Sequence, residues 1–156
     1  MSDFEGCPGS RMMDLRTRDT EEGAPATKVA SQLRQWPIQL HLISPHAPYY
    51  QGADLLLAAD CTAFAMGGFH DDYLKGKSIA IACPKLDQGQ DVYVEKLKAL
   101  IEEAKINTLT VLIMQVPCCR GLDSLAMEAV SQSSRKVPVK SVVVGLQGDI
   151  LSEEWL

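Results

Sequence analysis

The sequence has no apolar run near the roughly 20 residues that a bilayer-spanning helix needs, and its opening stretch MSDFEGCPGSR lacks a basic-then-apolar export signal. A reducing, cytoplasmic setting is therefore the expectation, with no membrane partner. Basic charge is in deficit: 15 Lys and Arg stand against 20 Asp and Glu, a net charge of -5. That removes the positive footprint of a nucleic-acid binder. No GxGxxG follows a strand pattern and no Walker lysine is present, so the two common phosphate cradles are missing. Only three histidines occur, and no Ser/His/Asp arrangement stands out. The five cysteines, Cys7, Cys61, Cys83, Cys118 and Cys119, include no CxxC pair, which takes away the usual support for a zinc finger or a thioredoxin-type dithiol. An odd count in a reducing compartment also argues against structural disulfides.

What remains is a 156-residue chain of ordinary composition, long enough to bury one core. Residues 17–31, TRDTEEGAPATKVAS, are polar and show no period. They read as a mobile linker, so residues 1–32 are expected to form a flexible segment with a CPGS patch and residues 33–156 the folded domain. Five strands are predicted. PIQLHLI (37–43) alternates, with Ile38, Leu40 and Leu42 on one face and Gln39 and His41 on the other. ADLLLAAD (53–60), SIAIAC (78–83), LTVLIMQV (109–116) and SVVVGL (141–146) are unbroken apolar runs, the pattern of parallel strands buried on both faces. Helical periodicity covers 91–104, through Tyr93, Leu97, Leu100, Ile101 and Ala104, and the stretch from Leu122 to Val130. A third helical stretch lies within 62–74, broken at Gly67-Gly68. Alternating strands and helices predict a single three-layer α/β/α domain with a mainly parallel sheet of about five strands. About ten residues separate the first two strands, the lower limit for a crossover, so the first is expected at an edge with an irregular connection.

Parallel strands deliver their C-terminal ends to one edge, where ligands bind. Cys61 directly follows its strand, Cys83 ends another, and Cys118 and Cys119 follow a third, just past Pro117. Four of the five cysteines thus gather at one edge from three strand ends. Within a strand, neighbours point to opposite faces, but a turn into a helix can aim two adjacent sulfurs at one region. Pro117 helps to end the ladder, and a helix start with Arg120 alongside favours thiolates. Such a set suits a soft metal: an iron–sulfur cluster or, as the alternative, zinc, and sequence spacing does not separate them. Cys118 and Cys119 could instead form a redox-active thiol pair, and Cys83 could be plain core. His41 reads as solvated, His46 and His70 as surface or capping groups within possible reach of the edge, and Asp60 and Thr62 as helix caps.

The stretch from Leu33 to Asp87, with its QWPxQLHL, AADC, FHxxxLKGK and CPKLD motifs, followed by VPCC at 116–119, resembles a family of iron–sulfur proteins of anaerobic bacteria and archaea often described as 4Fe–4S ferredoxins. The likeness covers about residues 33–146 and GCPGSRMMDLR at 6–16. It implies a cluster, more in keeping with 4Fe–4S, held by Cys61, Cys83, Cys118 and Cys119, with Cys7 as a further cofactor-binding candidate. It also implies electron transfer or redox sensing with a redox partner protein. Two departures stand out. The chain has no CxxCxxCxxxCP run of a ferredoxin domain, and Arg120 stands where the family pattern has glycine, a charge able to raise a cluster's potential or crowd an approaching ligand. The other readings are a thiol-based redox enzyme using Cys118 and Cys119, and a non-catalytic docking domain in which Cys7 and its patch attach to another subunit.

Overall fold

The computed structural model of the protein describes residues 11–16 and 28–156; Cys7 and residues 17–27 of the expected linker lie outside the described residues. The described residues form seven strands: β1 Met13–Asp14, β2 Gln35–Trp36, β3 Asp54–Ala59, β4 Ser78–Ala82, β5 Thr108–Met114, β6 Val139–Val144 and β7 Ile150–Trp155. The helices are α1 Thr62–Ala65, α2 Gln90–Glu102 and α3 Arg120–Gln132, with a π-helical turn at His70–Leu74 and 3-10 turns at Pro48–Tyr50 and Pro117–Cys119. Five strands form the main sheet in the order β4-β3-β5-β6-β7, and β1 pairs with β2 as a separate short ladder.

The four unbroken apolar runs become β3 to β6, paired in parallel and mostly buried. The reason is that each is covered on both faces, including β4 at the end of the sheet. The crossovers through α2 and α3 run in the same direction across the sheet. Right-handedness therefore puts both helices on one face, where they pack side by side. The β3-to-β4 crossover runs the other way and covers the opposite face. It is not a full helix: α1 is a single turn, and the chain bends past Gly67-Gly68 before the π-helical turn. The result is a three-layer α/β/α domain.

Two expectations need correction. The strand predicted over 37–43 does not form. Ile38 and Leu40 make one parallel bridge beside Ile81 of β4, and the chain then turns, with the N–H groups of Leu42 and Ile43 both donating to the Gln39 carbonyl. The Lys96 ammonium takes the carbonyls of Leu40, His41 and Ile43 at 3.0, 2.7 and 2.9 Å, doing for this segment what a neighbouring strand would have done. Leu42, assigned to the apolar face, is half exposed. The fifth strand of the sheet is instead β7, which the apolar pattern does not reveal because five of its six residues are exposed. It returns antiparallel from β6 through a turn closed by the Gly145 N–H on Asp149 and the Gly148 N–H on Gly145. Gly148 has φ of +87°, and a Cβ there would meet the Ala65 carbonyl oxygen at 2.4 Å, so both conformation and closeness demand glycine.

At the N-terminal side, Met13 and Asp14 pair antiparallel with Trp36 and Gln35, and the Leu15 N–H donates to the Arg34 carbonyl. These contacts tie part of the 1–32 segment to the domain. Gln35 is fully buried and does a strand's work with its side chain: its Oε1 accepts the Ile79 N–H at 3.0 Å, and its Nε2 donates to the Ile79 carbonyl and to the Tyr50 hydroxyl at 2.7 Å.

Between α3 and β6, the Asp123 carboxylate accepts from the Ser141 hydroxyl at 2.8 Å, while its other oxygen is buried with no hydrogen-bond partner. Burial pushes the Asp123 carboxyl up, against the Ser141 hydrogen bond and the Arg120 charge. A carboxyl raised by folding opposes the folded state above its folded pKa, and the penalty fades below the unfolded value. Asp123→Asn is therefore expected to stabilise the protein near pH 7 by about 1 kcal/mol and to lose that gain near pH 3. Thermal melts at the two pH values read the difference; a gain equal at both would rule out this cause.

Candidate functional site

The strand order gives the cysteines a meaning that their spacing alone does not carry. From β3 the chain crosses to β4 on one side, then back past β3 to β5 on the other. The crevice between the C-terminal ends of β3 and β5 is thus the topological switch point, the usual ligand site of open parallel sheets. Cys61 follows β3 on one side of this crevice, Cys118 and Cys119 follow β5 on the other, and Cys83 follows the adjoining β4. Cys61 and Cys118 are exposed, Cys83 is half-buried and Cys119 is buried; all four are free thiols.

Local chemistry builds each turn. Cys61 occupies the N-cap position of α1, and no side chain caps that helix. The expectation that Asp60 and Thr62 act as caps is therefore corrected: the Thr62 hydroxyl donates to the Ala59 carbonyl at 2.8 Å, and Asp60 Oδ1 is buried with no hydrogen-bond partner. Burial pushes the Asp60 carboxyl up, and the nearby Asp87 charge pushes it further. The Cys83 turn is closed by Asp87. Its carboxylate accepts the Cys83 N–H at 2.9 Å and a hydrogen bond from Gln39 Nε2 at 3.2 Å, and it takes a short hydrogen bond from the Tyr93 hydroxyl, while its own N–H returns to the Cys83 carbonyl. Burial, then Asp87, push the Tyr93 phenol up, keeping it a donor. After β5, Pro117 opens a 3-10 turn that leads straight into α3. Gly121 completes the approach, because a Cβ there would lie 3.0 Å from Pro84; the cysteine-pair turn and the Cys83 turn sit against one another.

The electrostatics report the same gathering. Burial is the main reason that the Cys119 thiol is pushed up; a backbone hydrogen bond with Met114 opposes it, and the charges of Cys118, Cys61 and Cys83 add to it. The set does not collapse onto one ion: among the described residues, no group of three or more His, Cys, Asp or Glu side chains is arranged to hold a metal ion.

The histidines stay outside the set. His41 Nε2 contacts the Gln88 carbonyl at 2.6 Å, and its ring leans on Tyr93. His46 lies 3.5 Å from Glu103, just beyond the end of α2 and at the far edge from the cysteines. His70 Nδ1 accepts the Gln32 N–H at 3.0 Å, pinning the segment before β2 over the β3-to-β4 crossover. Asp87 is what the sequence reading passed over, and Asp60 it read only as a cap. Their signals were present, as an acid closing the apolar run LLLAAD and an acid four residues after Cys83 in CPKLD.

Among the described residues, no helix is long and apolar enough to cross a membrane. A protein of Archaeoglobus fulgidus, itself described as an uncharacterized protein, is 26% identical over 119 residues, 76% of this chain and 83% of its own length. No solved structure gives a significant match. A family model described as a Rossmann-like domain matches residues 47–156, the span that holds all five strands of the main sheet and all four strand-end cysteines. With the switch-point topology and that match in agreement, the chain belongs to the Rossmann-like domain family.

Proposed function

We propose that the protein binds an iron–sulfur cluster at the switch-point edge through Cys61, Cys83, Cys118 and Cys119 and serves in electron transfer or redox sensing with a partner protein. The observation that carries this reading is the topology, which brings Cys61, Cys83, Cys118 and Cys119 from three strand ends to one edge of the sheet. The donor chemistry fits: four thiols with no disulfide among them. When bound, a cluster supplies one-electron redox chemistry.

This chain's own residues shape the setting. Asp87 and Gln39 hold the Cys83 turn, Gly121 lets the α3 start close on Pro84, and the exposed Cys61 and Cys118 leave one side open to a partner. Arg120 begins α3 beside the pair; a positive charge there favours the reduced state of an anionic cluster. The test is anaerobic purification, or reconstitution with ferrous iron and sulfide, followed by iron, zinc and acid-labile sulfide analysis. Iron and sulfide in near-equal amounts, with visible absorption that bleaches on reduction, are expected. Zinc without sulfide, or no metal at all, would overturn the reading.

A further inference from the structure

The acid four residues after Cys83 brings more than its turn requires. Asp87 closes that turn twice: its N–H returns to the Cys83 carbonyl, and its carboxylate takes the Cys83 N–H at 2.9 Å. Asparagine closes such turns as well as aspartate does, so the turn alone does not call for a charge. The same carboxylate oxygen, Oδ2, also accepts from Gln39 Nε2 at 3.2 Å and from the Tyr93 hydroxyl. Gln39 Nε2 reaches the Tyr93 hydroxyl too, at 3.0 Å, and Tyr93 is fully buried. Three donors from the β4 end, the segment beside β4 and α2 thus meet on one oxygen, an arrangement that suits a charged carboxylate.

This charge lies close to a thiol. Bond lengths from the Cys83 nitrogen to its sulfur, added to the 2.9 Å hydrogen bond, keep Oδ2 within about 8 Å of that sulfur in any rotamer. Asp87 and Cys83 are both half-buried, so salt screens the pair less than it would at an open surface. At that range, and with an effective dielectric constant of about 20, one charge is worth more than a tenfold change in a redox ratio. Asp87 follows β4 on one side of the thiol edge, and Arg120 begins α3 after β5 on the other. Their charges are opposite in sign.

We propose that Asp87 sets the reduction potential of the thiol-bound centre, its negative charge, held beside Cys83 by Gln39 and Tyr93, favouring the oxidised state and offsetting Arg120. The inference rests on the cluster reading and gives Asp87 no part as a ligand. Taking away the charge raises the potential. Taking away a donor that partly neutralises the charge lowers it.

The test uses the full chain, reconstituted anaerobically with ferrous iron and sulfide and titrated through its redox midpoint by visible absorption. Asp87→Asn keeps an oxygen for the three donors and loses the charge. At a fixed potential its reduced-to-oxidised ratio is expected to rise at least tenfold, a shift of about 59 mV for one electron. Tyr93→Phe keeps the charge and removes one donor from it, and its midpoint should fall. A residue that only held the turn would not give opposite shifts. Glu103→Gln, an equal loss of charge at the far end of α2, should leave the midpoint where it is. In the cluster-free protein, amide hydrogen exchange at Cys83 should stay as slow in Asp87→Asn as in the parent and become fast in Asp87→Ala.

A parent that holds iron and sulfide, with no midpoint change in Asp87→Asn, would overturn this proposal and leave the cluster reading standing. So would shifts of the same sign in Asp87→Asn and Tyr93→Phe, a shift as large in Glu103→Gln, or a folded Asp87→Asn protein that loses its iron or the protection of the Cys83 N–H. Should Asp87→Asn fail to fold, Tyr93→Phe decides, and a midpoint that does not fall overturns the proposal. No iron in the parent overturns both readings.

Discussion

Serine at position 61, 83, 118 or 119 is expected to cut the iron held by the anaerobically reconstituted protein by more than about tenfold, at least the effect typical of groups that only orient a metal ligand. Each position supplies one of the thiols at the switch-point edge, and a hydroxyl is a poor match for iron that prefers soft sulfur. Cys61 and Cys118 are exposed, so their serine variants should melt like the parent. Loss of iron in those two cannot then be blamed on a damaged core. Cys119 is the informative position. It is buried, and it follows Cys118 in a 3-10 turn, where successive side chains diverge. Cys7→Ser completes the series and is expected to keep its iron. If Cys119→Ser keeps the cluster while Cys7→Ser loses it, the fourth ligand is Cys7 and Cys119 is a neighbour. If all five variants keep full iron, the strand-end assignment fails.

Gln35→Leu is expected to lower stability by about 3 kcal/mol, as leaving several buried polar groups unpaired does. For a chain of this size the corresponding fall in Tm is about 6–12 °C. The side chain occupies the open edge of β4, accepting the Ile79 N–H and donating to the Ile79 carbonyl. Leucine matches the volume but strands the Ile79 N–H at the margin of the sheet. The Tyr50 hydroxyl, which also donates to the Ile79 carbonyl at 2.8 Å, keeps one of the lost contacts and limits the damage. Urea unfolding should show a lower midpoint with an unchanged slope, since the surface exposed on unfolding is the same. A loss below about 1 kcal/mol would mean that the β4 edge is held by the bridge at Ile38 and Leu40 alone.

How much of this could be read from the residues in order depends on where each signal lives. Helices α2 and α3 were legible because their buried positions, such as Leu97, Leu100 and Ile101 or Leu125, Ala126 and Ala129, recur with the helical period, a local property of the chain. Strands β3 to β6 were legible because burial on both faces leaves an unbroken apolar run. The placement of Cys61, Cys83, Cys118 and Cys119 after strands followed directly from those two patterns, and so did the three-layer fold.

Tertiary structure decided the rest. Strand order is a set of pairings between distant segments, and only that order puts Cys61 on one side of the β3/β5 crevice, Cys118 and Cys119 on the other, and Cys83 after the adjoining β4. The segment 37–43 alternates like a strand but has its hydrogen bonds taken by Lys96 and by its own turn, partners tens of residues away or invisible to periodicity. Strand β7 carries no apolar stripe because it lies at an edge, and it is held by the backbone of β6 and by Glu153 between Lys140 and Tyr73. Asp60 Oδ1 is unpartnered because the fold buries it. Local pattern sets which segments want to be buried; which of them meet, and what space is left between them, is settled only when the whole chain packs.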